Sequence, residues 1–493
     1  MSGPRDIRIG VVQAATSISL GSASDWTIAD KESGVVLFSG SGGDATITAA
    51  VPAAFYRLQV TCSNATTVAS KRAAADAAGY VTLTEFVPAA NCTRLFLGQF
   101  APPPASNFGA RNALRNAAIA AGHAGMDSFW KVVALGSATY TVTRGSNKAE
   151  TTNPVVVSAS SGLVTINGAT YRGKGEAISN GTGALAGVNV LPMEHYLYGV
   201  VPRELGPVAF PEVEAQKAQA VAARTYAIAG LGKRASNGYD LRATTDDQVY
   251  GGYAAEHAIS NAAVDATAGI VLTHEGTLIT ALYSSTSGGH TADNEESFAS
   301  AEVPYLRGIP DAPRGNAFSH VPSLEVFNAH ANPTSLRASK EGDFDSDWSR
   351  LHRWTFEWNN DEISDIVSTF AQTDVGRVLG IEVLDRGPSG RALGLAYVTE
   401  AGTFVAEKFA IRTSLTFITS TGSLSALPST LFFIEEIRDP RTKELKGFRV
   451  YGGGFGHGVG LSQTGAVGMA EKGATFDEIL RHYYRSVDVT QWY

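Results

Sequence analysis

Three stretches of this chain gather residues whose types and spacing could do chemistry. The first, LPMEHYLYGVVPRELGPVAFPEVEAQKAQAVAARTYAIAGLG at 191–232, sets Glu204 on a turn bounded by Pro202 and Gly206. An alanine-rich helix comes next, with Pro211 suited to its first turn and Glu212 and Glu214 to its positive dipole end. Lys217 and Arg224 are seven residues apart. They fall about 20° from eclipsing at 3.6 residues per turn, so they share a face. A carboxyl held over an apolar, partly cationic surface suits general acid work, because burial and neighbouring charge tune it. The same residues also read as a helix cap with two solvated cations.

The second stretch, ALYSSTSGGHTADNEESFASAEVPYLRGIPD at 281–311, ends a strand in polar backbone with Tyr283, Ser284, Ser287, His290 and Thr291. Such turns suit hydroxyl-rich ligands such as sugars, and equally an ordinary exposed loop. No G-x-S-x-G elbow is present, which removes a serine-hydrolase reading. The third, YGGGFGHGVGLSQTGAVGMAEKGATFDEILRHYY at 451–484, surrounds His457 with glycines. Ser462 can cap the next helix, Gly473 can end it, and Thr475 with Glu478 reads as a capping box. Neither a P-loop nor a strand–GxGxxG–helix unit occurs, so a nucleotide site is not expected. The ten histidines are scattered without an H-E-x-x-H or paired spacing, and no metal or cofactor is expected.

The elements that must position these residues belong to a chain of 493 residues, enough for two to four domains at ~100–200 residues each. Only 17% of residues are charged, and glycine, at 52, exceeds the usual ~7%. That pairing suggests a strand- and loop-rich globular protein and excludes a coiled coil. A net charge of −8 argues against nucleic-acid binding through a basic surface. Two cysteines, Cys62 and Cys92, exclude a disulfide-dense scaffold. There is no uninterrupted apolar run of about 18 residues, so no transmembrane segment is read. The opening MSGPRDIRIGVV lacks a basic region followed by an apolar stretch, which leaves a cytosolic protein or one whose export signal is missing from this sequence.

Residues 5–60 alternate apolar and polar positions between Gly/Ser clusters and read as short strands. Residues 54–134 run β-α-β-β-α-β, a ferredoxin-like split unit, with ATTVASKRAAADAA and 107–121 as its helices. Short strands return over 137–191. Beyond them the sequence is helix-rich over 190–250, with a helix after Trp358 and two final helices. No internal repeat appears, and the longest low-complexity linker is APPPAS at 101–106. The fold class is therefore α+β. The domains expected are an N-terminal β-rich segment (1–53), the split unit (54–134), a second β-rich segment (135–190) and a core at 191–493.

Much of residues 137–493 resembles the SpoIID/LytB family, stage II sporulation protein D and the related amidase enhancers. The segments that carry this are YRGKGEAI, VNVLPMEHYLYGVVPREL, EAQKAQAVAARTYAIA, TDDQVYGG, YSSTSGGHT, PYLRGIPD, VLDRGPSGRA, FAIRTSL and GGGFGHGVGLSQTGAVGMAEKG. The resemblance implies a peptidoglycan lytic transglycosylase acting on glycan stripped of stem peptides, exported to the cell envelope. Its catalytic acid would be the glutamate of VPREL, Glu204. Lys217, Arg224, Tyr283, Ser287, Asp311, His457 and Gln463 fall on positions that would shape the glycan groove. Partners implied are peptidoglycan glycan strands and an N-acetylmuramoyl-L-alanine amidase. The alternative is a non-catalytic, glycan-binding amidase enhancer.

Some family members carry a Cys- and His-containing zinc loop before QVY. This chain has DLRATTDDQVYGG there, where Asp246 and Asp247 could take a hard cation weakly but not a tetrahedral zinc. Residues 54–134 resemble a SPOR domain, a module associated with peptide-free glycan. Read as such, its first and third strands are taken to run parallel, which would hold Cys62 and Cys92 a strand length apart and unpaired.

Overall fold

The computed structural model describes residues 5–50, 52–87, 90–101, 107–134, 138–180, 183–313, 327, 343–345, 348–419 and 422–493. Most of the APPPAS linker lies outside them. The chain is mixed α+β and divides into two compact units, Asp6–Pro192 with Leu231–Ala254, and Met193–Gly230 with Ala255–Tyr493.

In the first unit the alternating sequence becomes two facing sheets. One has seven strands and the other six. Asp25–Asp30, Asp44–Ala50 and Thr139–Arg144 bury every second residue, as a period of two requires when one face is covered. Trp26, Ile28, Val155 and Val157 from the larger sheet meet Ile18, Ile47, Tyr140 and Val142 from the smaller in one core. Strands from before residue 53 and after residue 135 share these sheets, with Ile47 opposite Val142 and Ile28 opposite Val157. Between them the chain makes a separate four-stranded sheet from Ala54–Ser63, Thr82–Val87, Cys92–Phe100 and Phe129–Ala134, ordered second, third, first, fourth. Helices Ala65–Ala77 and Phe108–Ala120 complete this segment around Leu58, Ala75, Leu97 and Ala118.

Here the cysteine expectation is corrected. Cys62 and Cys92 form a disulfide, with Cα atoms 5.5 Å apart. The strands Ala54–Ser63 and Cys92–Phe100 are antiparallel, with Ser63 opposite Thr93, so the end of one meets the start of the other. A helical crossover keeps strand direction and the following hairpin reverses it, which makes the first and third strands antiparallel. Closing a 30-residue separation stabilises the segment by roughly 3–4 kcal/mol.

The second unit is built on the helix Val213–Ala229. Twelve of its 17 residues are buried, six of them alanines, so neighbouring elements approach it closely. Around it lie the helices Met193–Glu204, Ala258–Ala266, Gln463–Glu471 and Phe476–Tyr483. The last two are capped as their sequence implies. Ser462 accepts from Gly465, and Thr475 with Glu478 forms the capping box. The strand Asp488–Gln491, absent from the sequence reading, pairs with Ile270–His274. A distinct core under Trp358, Ile381, Leu395, Phe432 and Phe448 organises residues 354–419 and 422–452, including the helix Asn360–Ala371. Among the described residues no helix is long and apolar enough to cross a membrane.

Candidate active site

Glu204 is the last residue of the helix Met193–Glu204, with Pro202 inside its final turn. The flanking Pro202 and Gly206 predict a turn at this position. The helix nevertheless carries past the proline, and Leu205 N–H still donates to the Val201 carbonyl. The backbone beyond Glu204 is held from the side. The Gln216 amide donates to the carbonyls of Leu205 (2.9 Å) and Phe210 (3.0 Å) and accepts from Ser260 Oγ (2.8 Å). Gln216 is fully buried, and these bonds satisfy its polar group while fixing the backbone on which Glu204 ends.

The carboxyl of Glu204 is half-buried and lies 3.5 Å from Gln463 Nε2, at the outer limit of a hydrogen bond. Gln463 begins the helix after the glycine-rich loop, and its amide also donates to the buried Gln219 at 3.2 Å. Gln216 and Gln219, three apart on one helix, therefore serve the same corner. Neither stands out in the sequence, because the partners that make them matter, Ser260 and Gln463, are far along the chain.

Tyr283–Ser284 pairs in parallel with Leu461–Ser462, which places Tyr283 beside the segment leading to Gln463. His457 adjoins them. Its Nδ1 accepts from Val459 N–H at 3.0 Å, its ring is hydrogen-bonded to the Tyr283 backbone, and Phe298 packs 5.3 Å away. Burial, then the cations Arg391 and Arg412, hold the imidazole down at about 4. The structure thus brings Glu204 to Gln463 and Tyr283 to His457, and the strand Leu461–Ser462, paired with Tyr283–Ser284, leads directly into Gln463.

His457 should accordingly stay neutral well below pH 6.5 in the native protein. Its native value lies below the unfolded one of ~6.5. The unfolded chain therefore binds more protons between pH 6.5 and 4, and this residue's share of stability is lost as pH falls through that window. A histidine titration by NMR checks this; a native midpoint near 6.5 contradicts it.

Ser287 and Asp311 lie beneath the surface, both fully buried. Ser287 Oγ donates to Asp311 Oδ2 (2.5 Å), and Tyr483 OH donates to Oδ1 (2.6 Å). Burial and the nearby Asp345 push the Asp311 carboxyl up. A Cβ on Gly465 would run into Tyr483 and Asp311, which explains glycine in that helix. The pair is placed to shape the loop from within rather than to meet a glycan.

Lys217 and Arg224 part company despite their spacing. Lys217 Nζ bonds Glu214 at 2.7 Å and lies 5.9 Å from the Phe476 ring centroid. Arg224 has no exposed side-chain surface. Its guanidinium grips both Glu194 oxygens (3.0 and 2.6 Å) and the carbonyls of Ile270 and Val264. Glu194 also accepts from Tyr493 OH, so Arg224 ties three helices to the C-terminal residues. The expectation that it faces a groove is corrected: the helix is enclosed on nearly every side, and one stripe cannot stay wet along it. Arg224→Ala should cost about 3 kcal/mol, by emptying a buried site and taking its main cation from the partly buried Glu194, which keeps Tyr493 OH and Gly269 N–H, read by urea denaturation. A loss within about 1 kcal/mol, as for an exposed pair, would contradict it.

Asp246 and Asp247 are engaged by cations of the chain itself. Although burial raises it, bonds from Arg234 (2.7 Å) and Lys233 (2.6 Å) carry the Asp247 carboxyl below the usual range. Asp246 bonds Arg242. Among the described residues no group of three His, Cys, Asp or Glu side chains is arranged to hold a metal ion.

Residues 181–274 match a family described as Stage II sporulation protein, and residues 292–460 match a domain of unknown function. The chain is similar to an uncharacterised protein of Brachyspira hyodysenteriae, 31% identical over 306 residues, covering 62% of this chain and 68% of that protein. It is 30% identical over 308 residues to the amidase enhancer of Bacillus subtilis, covering 60% of this chain and 40% of that protein. Stage II sporulation protein D of Bacillus amyloliquefaciens is 28% identical over 320 residues, with 62% and 76% covered. The chain belongs to the SpoIID/LytB family.

Proposed function

We propose that this protein acts at the bacterial cell wall as a lytic transglycosylase on peptidoglycan glycan strands stripped of stem peptides. The observation that carries the reading is Glu204, a carboxyl on a backbone clamped by Gln216 and facing the Gln463 amide. Cleavage of a glycosidic bond needs a proton on the leaving oxygen and relief of positive charge at the anomeric carbon. Hydrolases usually bring two carboxylates. One suffices when the substrate carries its own nucleophile. Glu204 gives its proton to the bridging oxygen as the bond to the N-acetylmuramic acid anomeric carbon breaks. The C6 hydroxyl of that sugar then bonds to the same carbon and passes its proton to the Glu204 carboxylate. The products are a free 4-hydroxyl and a 1,6-anhydro end, and the glutamic acid is regenerated. Tyr283 and His457 line the approach, and Lys217 meets the polymer further along.

Residues 54–134 are read as a SPOR-like module for peptide-free glycan, supported by their strand order and antiparallel pairing. The Cys62–Cys92 disulfide supports an exported protein, since such bonds persist in oxidising compartments. A non-catalytic amidase enhancer is the second reading, favoured by the 30% identity to a protein of that name, and would bring an amidase as partner. Incubation with amidase-treated and untreated wall tests the substrate: faster release from treated wall is expected, and equal rates remove the stripped-glycan preference.

A further inference from the structure

We propose that Arg391 is a positioning residue that shapes the glycan site from below, and that this is what residues 378–399 of the region of unknown function contribute. The inference rests on the reading of a glycan site around Glu204, Tyr283 and His457. Arg391 ends the turn between the strands Val378–Arg386 and Ala392–Thr399, a turn closed by bonds between Gly387 and Arg391 and between Gly390 and Gly387. Its guanidinium is fully buried, and donates to the carbonyls of Ser287 and His290, both at 2.8 Å. It also lies flat against Gly458, where φ is +78° and any Cβ would strike it.

One side chain therefore sits between the two segments that build the site. The first is Tyr283–His290. The second is the glycine loop of His457, joined to the first through Gly458 N–H to Ser284 Oγ (3.2 Å) and through paired bonds between Thr286 and Phe455. The helix turn Asn294–Ser297 completes the seat. Ser297 Oγ donates to the His457 carbonyl at 2.7 Å. Glu296, also buried, opposes the Arg391 charge and accepts from Ser389 Oγ of the same turn at 2.6 Å. A buried guanidinium is costly and is often replaceable by apolar packing where only stability is at stake. Here its hydrogen bonds end on loop carbonyls, and loops placed by a rigid scaffold are where binding residues sit.

The test removes the charge pair as a unit, with Arg391→Met and Glu296→Gln combined, beside Arg391→Lys alone. Melting temperature, hydrogen exchange of peptides covering 283–292 and 455–460, and binding to amidase-treated glycan are measured on each. The combined variant should melt within a few degrees of wild type. Its exchange in those two peptides should rise, and its glycan affinity should fall, each roughly tenfold, the worth of one or two lost hydrogen bonds. Arg391→Lys, able to reach one carbonyl, should fall between. Native exchange and native affinity in the combined variant overturn the proposal, since a purely structural charge pair predicts recovery of both. If that variant does not fold, Arg391→Lys decides by the same two readouts. If wild type binds no glycan, the glycan reading fails, and the exchange data alone still decide whether Arg391 sets these loops.

Discussion

Glu204→Gln should lose glycan cleavage by ~10²–10⁴-fold or more, with melting temperature and glycan binding close to wild type. The amide keeps the shape and the contact with Gln463, but cannot give a proton to the leaving oxygen or take one from the C6 hydroxyl. Folding should tolerate the change. The backbone at Glu204 is held through Gln216, which bonds the carbonyls of Leu205 and Phe210 rather than the Glu204 side chain. A half-buried carboxyl at a helix end also carries none of the packing that its neighbour Leu205 supplies. Turnover by the Gln variant at the wild-type rate would remove Glu204 from the chemistry. Loss of cleavage together with loss of folding would mean that the carboxyl has a structural task.

Deletion of residues 54–134 should weaken binding to polymeric glycan by as much as ~10²–10⁴-fold, while turnover on short soluble glycans barely changes. Two modest sites on one chain that contact one polymer turn the second binding event into an intramolecular one. A short oligosaccharide cannot span both, so it gains nothing from the module. The fold permits the experiment. Ala50 and Thr139 are paired neighbours on adjacent antiparallel strands, so a tight turn can close the gap. The disulfide and its enclosed helix leave together with the module. Unchanged polymer binding after deletion would show that the SPOR-like reading of these residues is wrong.

What could be read from sequence was mostly local. The Ser462 cap and the Thr475–Glu478 box involve residues three apart, and their geometry is set by helix termini alone. Period-two burial in the short strands was legible for the same reason. Errors arose where direction or enclosure mattered. Strand polarity decides whether the cysteines meet, and one reversed strand turns a bonded pair into a distant one. Lys217 and Arg224 share a helical stripe, but neighbouring elements cover one and leave the other partly wet. The strand Asp488–Gln491 is four residues long and exists because Ile270–His274 offers it an edge. Gln216, Gln219 and Arg391 owe their importance to partners between 6 and 244 residues away, which no local pattern encodes.

The most direct test of the account is the chemical nature of the new glycan end. Purified protein incubated with peptide-free glycan, with products identified by mass, should release fragments that end in 1,6-anhydro-N-acetylmuramic acid, and the Glu204→Gln protein should release none. Anhydro ends identify attack by the sugar's own C6 hydroxyl, because attack by water would leave a reducing end about 18 Da heavier, the mass of the one water that a two-carboxylate hydrolase adds. Reducing ends in their place would contradict the single-carboxyl mechanism. Intact glycan after incubation with the wild-type protein would contradict catalysis itself and leave the glycan-binding amidase enhancer as the function.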